Sequence, residues 1–152
     1  MLVHTRVTGH SEVPLELAWQ VLADFGTMPA WHVGVVGVRD VAGTTEDVGS
    51  TATVILKGLD GPVDVHVEVT AAEPLRMTTM IGRGLVSYTT TMHYTPAGRG
   101  YDFAWDQDTE WPEGLPGAFG DEAFVGRWME QMLRQSADNA RLFMEAMVPQ
   151  PV

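Results

Sequence analysis

Between Val33 and Glu110 the chain alternates apolar and polar residues again and again, and the runs are separated by turn-forming residues. This feature constrains the fold most. Six strands are predicted: Val33–Val41, Ser50–Lys57, Val63–Ala71, Arg76–Ile81, Leu85–Tyr94 and Tyr101–Thr109. Their separators, AGTTEDVG, GLDGP, AEPL, GRG and PAGRG, are short and rich in glycine and proline, which favours an antiparallel meander over crossover connections. A seventh strand comes first. In VHTRVTGHSEV, Val3, Thr5, Val7 and Gly9 share one face and His4, Arg6, Thr8 and His10 the other. Pro14 then suits a helix start, and Leu15, Ala18, Trp19 and Leu22 follow at helical spacing. Asp24 can cap a second short helix in DFGTMPAWH. After the Gly/Pro-rich loop WPEGLPGAFGDE, residues from about Glu122 to Met147 contain no proline and only one glycine, Gly126. That run reads as one long helix.

At 152 residues the chain fits one domain, 1–152, with a substantial core. Nine Lys+Arg against 20 Asp+Glu give a formal charge of −11. Such a surface repels phosphate backbones and anionic membranes, so neither nucleic acid nor a membrane is an expected partner. There is no cysteine, hence no disulfide and no thiolate nucleophile or ligand. The five histidines lack the spacing of a metal site, and no phosphate-binding glycine loop or G-x-S-x-G elbow is present. No metal or cofactor is expected. The opening residues MLVHTRVTGH lack a signal-peptide apolar run, and a cytoplasmic location is expected.

The stretch VPLELAWQVLADFGTMPAWHVG resembles the opening of the START-like (SRPBCC, birch-pollen-allergen-like) superfamily, and among its members the bacterial polyketide cyclase/dehydrases. The resemblance rests on Pro14, Ala18-Trp19, Asp24-Phe25 and Trp31. RGYDFAWDQDTEW is similar to the family's penultimate strand. It implies an α+β helix-grip fold, in which a seven-stranded curved antiparallel sheet wraps around the long C-terminal helix. Two short helices lie between strands 1 and 2. It also implies an apolar cavity between sheet and helix, with Trp31 on its wall; Trp19, mid-helix among apolar neighbours, is expected in the core.

Residue patterns then nominate the lining. On a wheel of about 100° per residue, Met132, Asn139 and Phe143 fall within about 60° of Trp128, and Ser136 at about 80°. A buried amide needs a partner, so Asn139 should meet backbone, water or ligand. Val63, Val65, Val67 and Val69 point inward, sending His66 and Glu68 outward. The same logic turns Val86, Tyr88, Thr90, Met92 and Tyr94 inward, with Tyr101, Phe103, Trp105 and Gln107. Trp111 and Phe119 are lid candidates in the Gly/Pro loop. Trp31, Trp105, Gln107, Trp128, Met132, Asn139 and Phe143 are thus the candidate substrate-binding residues. Tyr88, Arg83 and His32 are the candidate catalytic ones: His32 as proton shuttle, Arg83 (or Arg76) as a guanidinium for a carbonyl or enolate, and Tyr88 as proton donor.

Three functions stay open. The leading expectation is a cofactor-free cyclase or dehydratase, a lyase-type enzyme acting on an aromatic or poly-carbonyl substrate. The alternative is a non-catalytic carrier for an apolar metabolite. The third is a partner-binding module whose cavity is only a core. A hydrophobic small molecule is the expected partner, and the protein is expected to be a monomer or homodimer.

Overall fold

The computed structural model describes residues 1–58, 60–112 and 122–149. Strand β1 (Leu2–Ser11) leads into helix α1 (Leu15–Ala23), a 3-10 turn at Phe25–Thr27 and the short helix α2 (Met28–Trp31). Six strands follow: β2 (Val35–Ala42), β3 (Thr51–Gly58), β4 (Gly61–Glu73), β5 (Met77–Arg83), β6 (Ser87–Ala97) and β7 (Gly100–Glu110). Helix α3 (Glu122–Glu145) closes the described order. All six inferred strands are present, with ends shifted by one to three residues. The sheet order is β1-β7-β6-β5-β4-β3-β2, every pairing antiparallel, so β1 leaves the meander only to return beside β7.

Local chemistry sets the helical corner. Asp24 ends α1, and its carboxylate accepts from the Gly26 N–H at 2.8 Å. Thr27 sends its hydroxyl to the Asp24 and Val21 carbonyls and accepts the Trp31 indole N–H at 3.1 Å. One threonine thus joins α1, the 3-10 turn and α2, fixing where Trp31 can lie.

Alternation carries the sheet. Val65, Val67 and Val69 are buried, while His66 on the same strand is exposed. Val3, Thr5, Val7 and Ser11 of β1 are buried against the same interior. The pattern breaks at two places. Between Val69 and Ala71 the β4–β5 register shifts by one, and β2 is interrupted twice against β3. Arg76 falls outside β5, in the turn before it, where it is exposed and sits 3.9 Å from Glu73.

The main core joins α1, α2, the sheet interior and α3. Trp19 packs edge-on to Tyr94 with ring centroids 5.7 Å apart. That is the core role its mid-helix position implied. A second, smaller cluster of Val3, Val125 and Met129 gathers Met1 and Trp111 at the N-terminal end of α3.

The buried face of α3 differs from expectation. It consists of Val125, Met129, Leu133, Ser136, Ala140 and Met144, an arc of about 100° centred near Met129. Trp128 lies about 100° away from that centre and is 49% exposed. It stacks obliquely on Trp111, centroids 6.3 Å apart, and takes no part in the interior. Met132 and Phe143 flank the stripe, partly buried. No described helix is long and apolar enough to cross a membrane.

Candidate functional site

The space between sheet and helix is lined by Trp31, Met92, Tyr101, Phe103, Trp105, Ala140, Met144 and their neighbours. Its open volume is only about 30 Å³. That is room for a water or two, against the roughly 300–1,000 Å³ of a drug-sized site. The walls around this small space are mostly apolar and aromatic.

Three rings meet at its α2 end. Trp31 and Trp105 approach at 6.2 Å, nearly perpendicular, and His32 lies 5.5 Å from one and 5.6 Å from the other. Each tryptophan has its N–H satisfied by a threonine: Trp31 by Thr27, and Trp105 by Thr90 at 2.6 Å. Their ring faces are therefore free to be purely apolar walls. The His32 Nδ1 is 3.0 Å from the Val33 carbonyl oxygen. A carbonyl only accepts, so Nδ1 carries the hydrogen and Nε2 is the basic nitrogen. Burial pushes the His32 pKa below its ordinary value, and the Val33 carbonyl opposes this only in part. The ring is neutral at pH 7.

Helix α3 holds this corner through two side chains. Ser136, fully buried, accepts the Val33 N–H at 2.9 Å and donates to the Met132 carbonyl, also at 2.9 Å. Asn139 donates to the Trp31 carbonyl at 3.3 Å and accepts from Gln135 at 2.9 Å. Of the partners open to it, Asn139 has taken backbone. The segment Trp31–Val33 is thereby clamped from the helix side.

The three candidate catalytic residues do not converge. Tyr88 faces inward, but four residues separate it on β6 from Met92, the neighbour of Trp105. That is about 13 Å along the strand. Burial pushes its phenol up to about 12, which makes it a reluctant proton donor. Arg83 pairs in register with His66, and both are exposed on the outer face of the sheet. The expectation that its guanidinium reaches the interior is corrected by that register. Of the three, His32 packs against two wall residues of the pocket, Trp31 and Trp105, without lining the space itself.

Gln107 is buried, with its amide donating to Thr109 at 3.1 Å. It belongs to a polar row that crosses the sheet interior through Thr90, Gln107 and Thr5. Among the described residues, the Thr5 hydroxyl there is buried without a partner. Alternation turned Thr90 and Gln107 inward and set Thr5 on one face with Val3 and Val7; that they form one row depends on the β1–β7–β6 pairing, which the sequence does not spell out. Phe119 lies outside the described residues. Trp111 packs beside Trp128, and among the described residues its buried indole N–H has no partner. Among the described residues, no group of three or more His, Asp or Glu side chains could hold a metal ion.

Solved structures share this arrangement. A protein of Thermus thermophilus matches with a TM-score of 0.79 at 15% identity, over 96% of this chain and 99% of its own. A START superfamily protein from Mycobacterium smegmatis matches at 0.77 and 13% identity, over 95% and 99%. The di-domain ARO/CYC StfQ from the steffimycin biosynthetic pathway matches at 0.74 and 12% identity, over 97% of this chain and 52% of its own. At such identities these likenesses establish the helix-grip fold alone. Among curated proteins, no relative was found at a significant level. The sequence itself, however, fits a family model over residues 3–145, nearly its whole length. With strand order, short helices and gripped helix all in place, the chain belongs to the polyketide cyclase / dehydrase and lipid transport family.

Proposed function

We propose that this protein binds a hydrophobic, ring-bearing small molecule between Trp31, Trp105 and the inner side of α3. One observation carries the reading. The pocket wall combines four aromatic rings (Trp31, Tyr101, Phe103 and Trp105) with the pliable side chains of Met92 and Met144. Rings supply broad apolar contact, and methionines repack around an incoming shape. Because the closed space is about 30 Å³, binding selects or induces an opened state. The closed state lowers apparent affinity by the fraction of molecules that are open.

The test is native mass spectrometry of the protein purified from its producing cells. A retained compound, lost in Trp105→Ala, is the expected result. The absence of any retained compound, together with no response to naphthyl fluorophores, would overturn the reading. A retained compound that matches its precursor marks a carrier.

A second reading, a cyclase or dehydratase, is favoured by His32 Nε2, a neutral base at the pocket's aromatic end. It would take an α-proton from a poly-carbonyl chain, and the resulting enolate carbon would attack a second carbonyl of that chain. The new alkoxide would recover the proton from the imidazolium, and loss of water would complete the dehydration. The pocket would contribute by holding the chain folded for ring closure. Turnover that survives His32→Gln undiminished would remove this reading.

A further inference from the structure

A second cavity lies beside the first. It is a surface groove of about 70 Å³ between β1 and α3, with Gly9 and His10 on one side and Arg134, Asp138 and Arg141 on the other. The groove and the inner pocket share three wall residues: Phe103, Ala137 and Arg141. They are separated by little more than one ring.

That ring belongs to Phe103. A Cβ on Gly9 would stand 2.7 Å from it, so the ring leans across β1 against bare backbone. On the helix side the facing residue is Ala137, among the smallest available. Phe103 is therefore the side chain whose rotamer governs whether groove and pocket are separate.

Arg141 is the one charged side chain that lines both spaces. One of its N–H groups donates to Glu145 at 3.1 Å, a solvent-facing pair four residues apart on the helix. Among the described residues, its other donors are unused. Its aliphatic stem can follow an apolar body inward while the guanidinium stays at the mouth. At the outer rim, Arg134 is paired with Glu130 at 3.2 Å, and Asp138 lines the groove beside it.

From these placements we infer that the β1–α3 seam is the mouth of the pocket, that Phe103 is its gate, and that Arg141 receives the acidic head of an amphipathic, ring-bearing anion. The inference rests on the pocket reading above and adds the ligand's chemistry and its route. A carboxylate or sulfonate replaces Glu145 on the guanidinium in a less hydrated setting, where a charge-assisted hydrogen bond is stronger.

Two fluorophores with the same ring body separate the two ideas. One is 8-anilinonaphthalene-1-sulfonate; the other is N-phenyl-1-naphthylamine, which has no sulfonate. Wild-type protein should bind both. Arg141→Met should weaken the sulfonate probe about tenfold and leave the neutral probe within about twofold. Phe103→Ala should speed association of both. Equal effects of Arg141→Met on the two probes, or unchanged association in Phe103→Ala, would overturn the inference while leaving the pocket standing. Failure of wild type to bind either probe would remove the pocket and the inference together. Salt screens both the Arg141 contact and the repulsion from the formal charge of −11, so this check compares proteins: added sodium chloride should weaken the sulfonate probe more on wild type than on Arg141→Met. Parallel salt responses of the two proteins would count against Arg141.

Discussion

Ser136 offers the sharpest test of how α3 holds the aromatic corner. Its side chain is fully buried and, among the described residues, its hydroxyl is the partner of the part-buried Val33 N–H, at 2.9 Å. In Ser136→Ala that N–H is left without an acceptor, which costs about 1–3 kcal/mol for a buried donor. The lost bond to the Met132 carbonyl matters less, because that carbonyl belongs to the helix's own ladder. Alanine returns about 0.5 kcal/mol through helix propensity. The net loss is then about 1–2 kcal/mol, which for a chain of this length lowers the melting temperature by about 3–8 °C. Thermal and urea unfolding followed by tryptophan fluorescence measure it directly. Asn139→Ala, which frees the Trp31 carbonyl from a longer 3.3 Å bond, should cost less. The double variant should lose less than the sum, because both side chains order the same three residues. A Ser136→Ala protein melting within about 1 °C of wild type would refute the clamp: water would then be serving Val33 equally well.

Two histidines should respond to pH in opposite senses. His32 has a lowered pKa from burial, so its contribution is full above the ordinary value of 6.5 and is lost as pH falls from there toward the folded value. His10 is raised by its bonds to Glu12 and Asp102, so its contribution is full below 6.5 and is lost as pH rises through its higher folded value. Proton NMR titration should place the two resonances on opposite sides of 6.5, and a shared midpoint would contradict the burial of His32. All three tyrosines, Tyr88, Tyr94 and Tyr101, are pushed upward mainly by burial. Near pH 10, where free tyrosine is half ionised, the folded protein should show little phenolate absorbance, and stability should decline as pH rises beyond that point. A reversible phenolate signal near pH 10 would argue against the packed wall. Gly100→Ala should cost at least about 2 kcal/mol in denaturant unfolding, because a Cβ there collides with β1 backbone at Ser11 and Glu12. A wild-type midpoint would show that β1 and β7 separate more easily than their pairing implies.

The sheet was legible because each strand buries one face, so valine and tyrosine recur at every second position. That alternation placed Trp105 and Gln107 inside and Asp102 outside. It carried no mark of the shift between Val69 and Ala71, where small residues occupy both parities of VTAAE and either setting looks acceptable. The face of Arg83 was open for a related reason. Its side of the sheet depends on pairing with His66, and that β4–β5 register follows from the turn at Pro74–Arg76 and the shift between Val69 and Ala71, neither of which the letters specify. On α3 the wheel was anchored on Trp128, the largest residue available. The burial of that ring depends on the neighbouring strand end, where Trp111 draws it to the surface. Anchored instead on Leu133 and Met144, the same wheel gives the observed stripe. The Asp24 cap at the corner around Trp31 was readable because it is local; the Thr27 bonds that fix the ring were not, because they reach back to Val21 and across to the Trp31 indole. The clamp by Ser136 joins residues 103 positions apart and leaves no local trace.

An open sheet ends in two edge strands, and here one of them is β2. Its pairing with β3 is broken between Val35 and Gly37 and again between Arg39 and Ala42, and Asp40 sits at a φ of 54°. A strand so interrupted cannot offer an unbroken row of N–H and C=O groups to a stranger. Val36 and Val41 are exposed on it, and apolar side chains on a straight edge would invite strand-by-strand stacking. Straightening β2, by deleting the residues that kink it, should therefore show first as aggregation during refolding. The irregularity thus works against strand-by-strand stacking between copies.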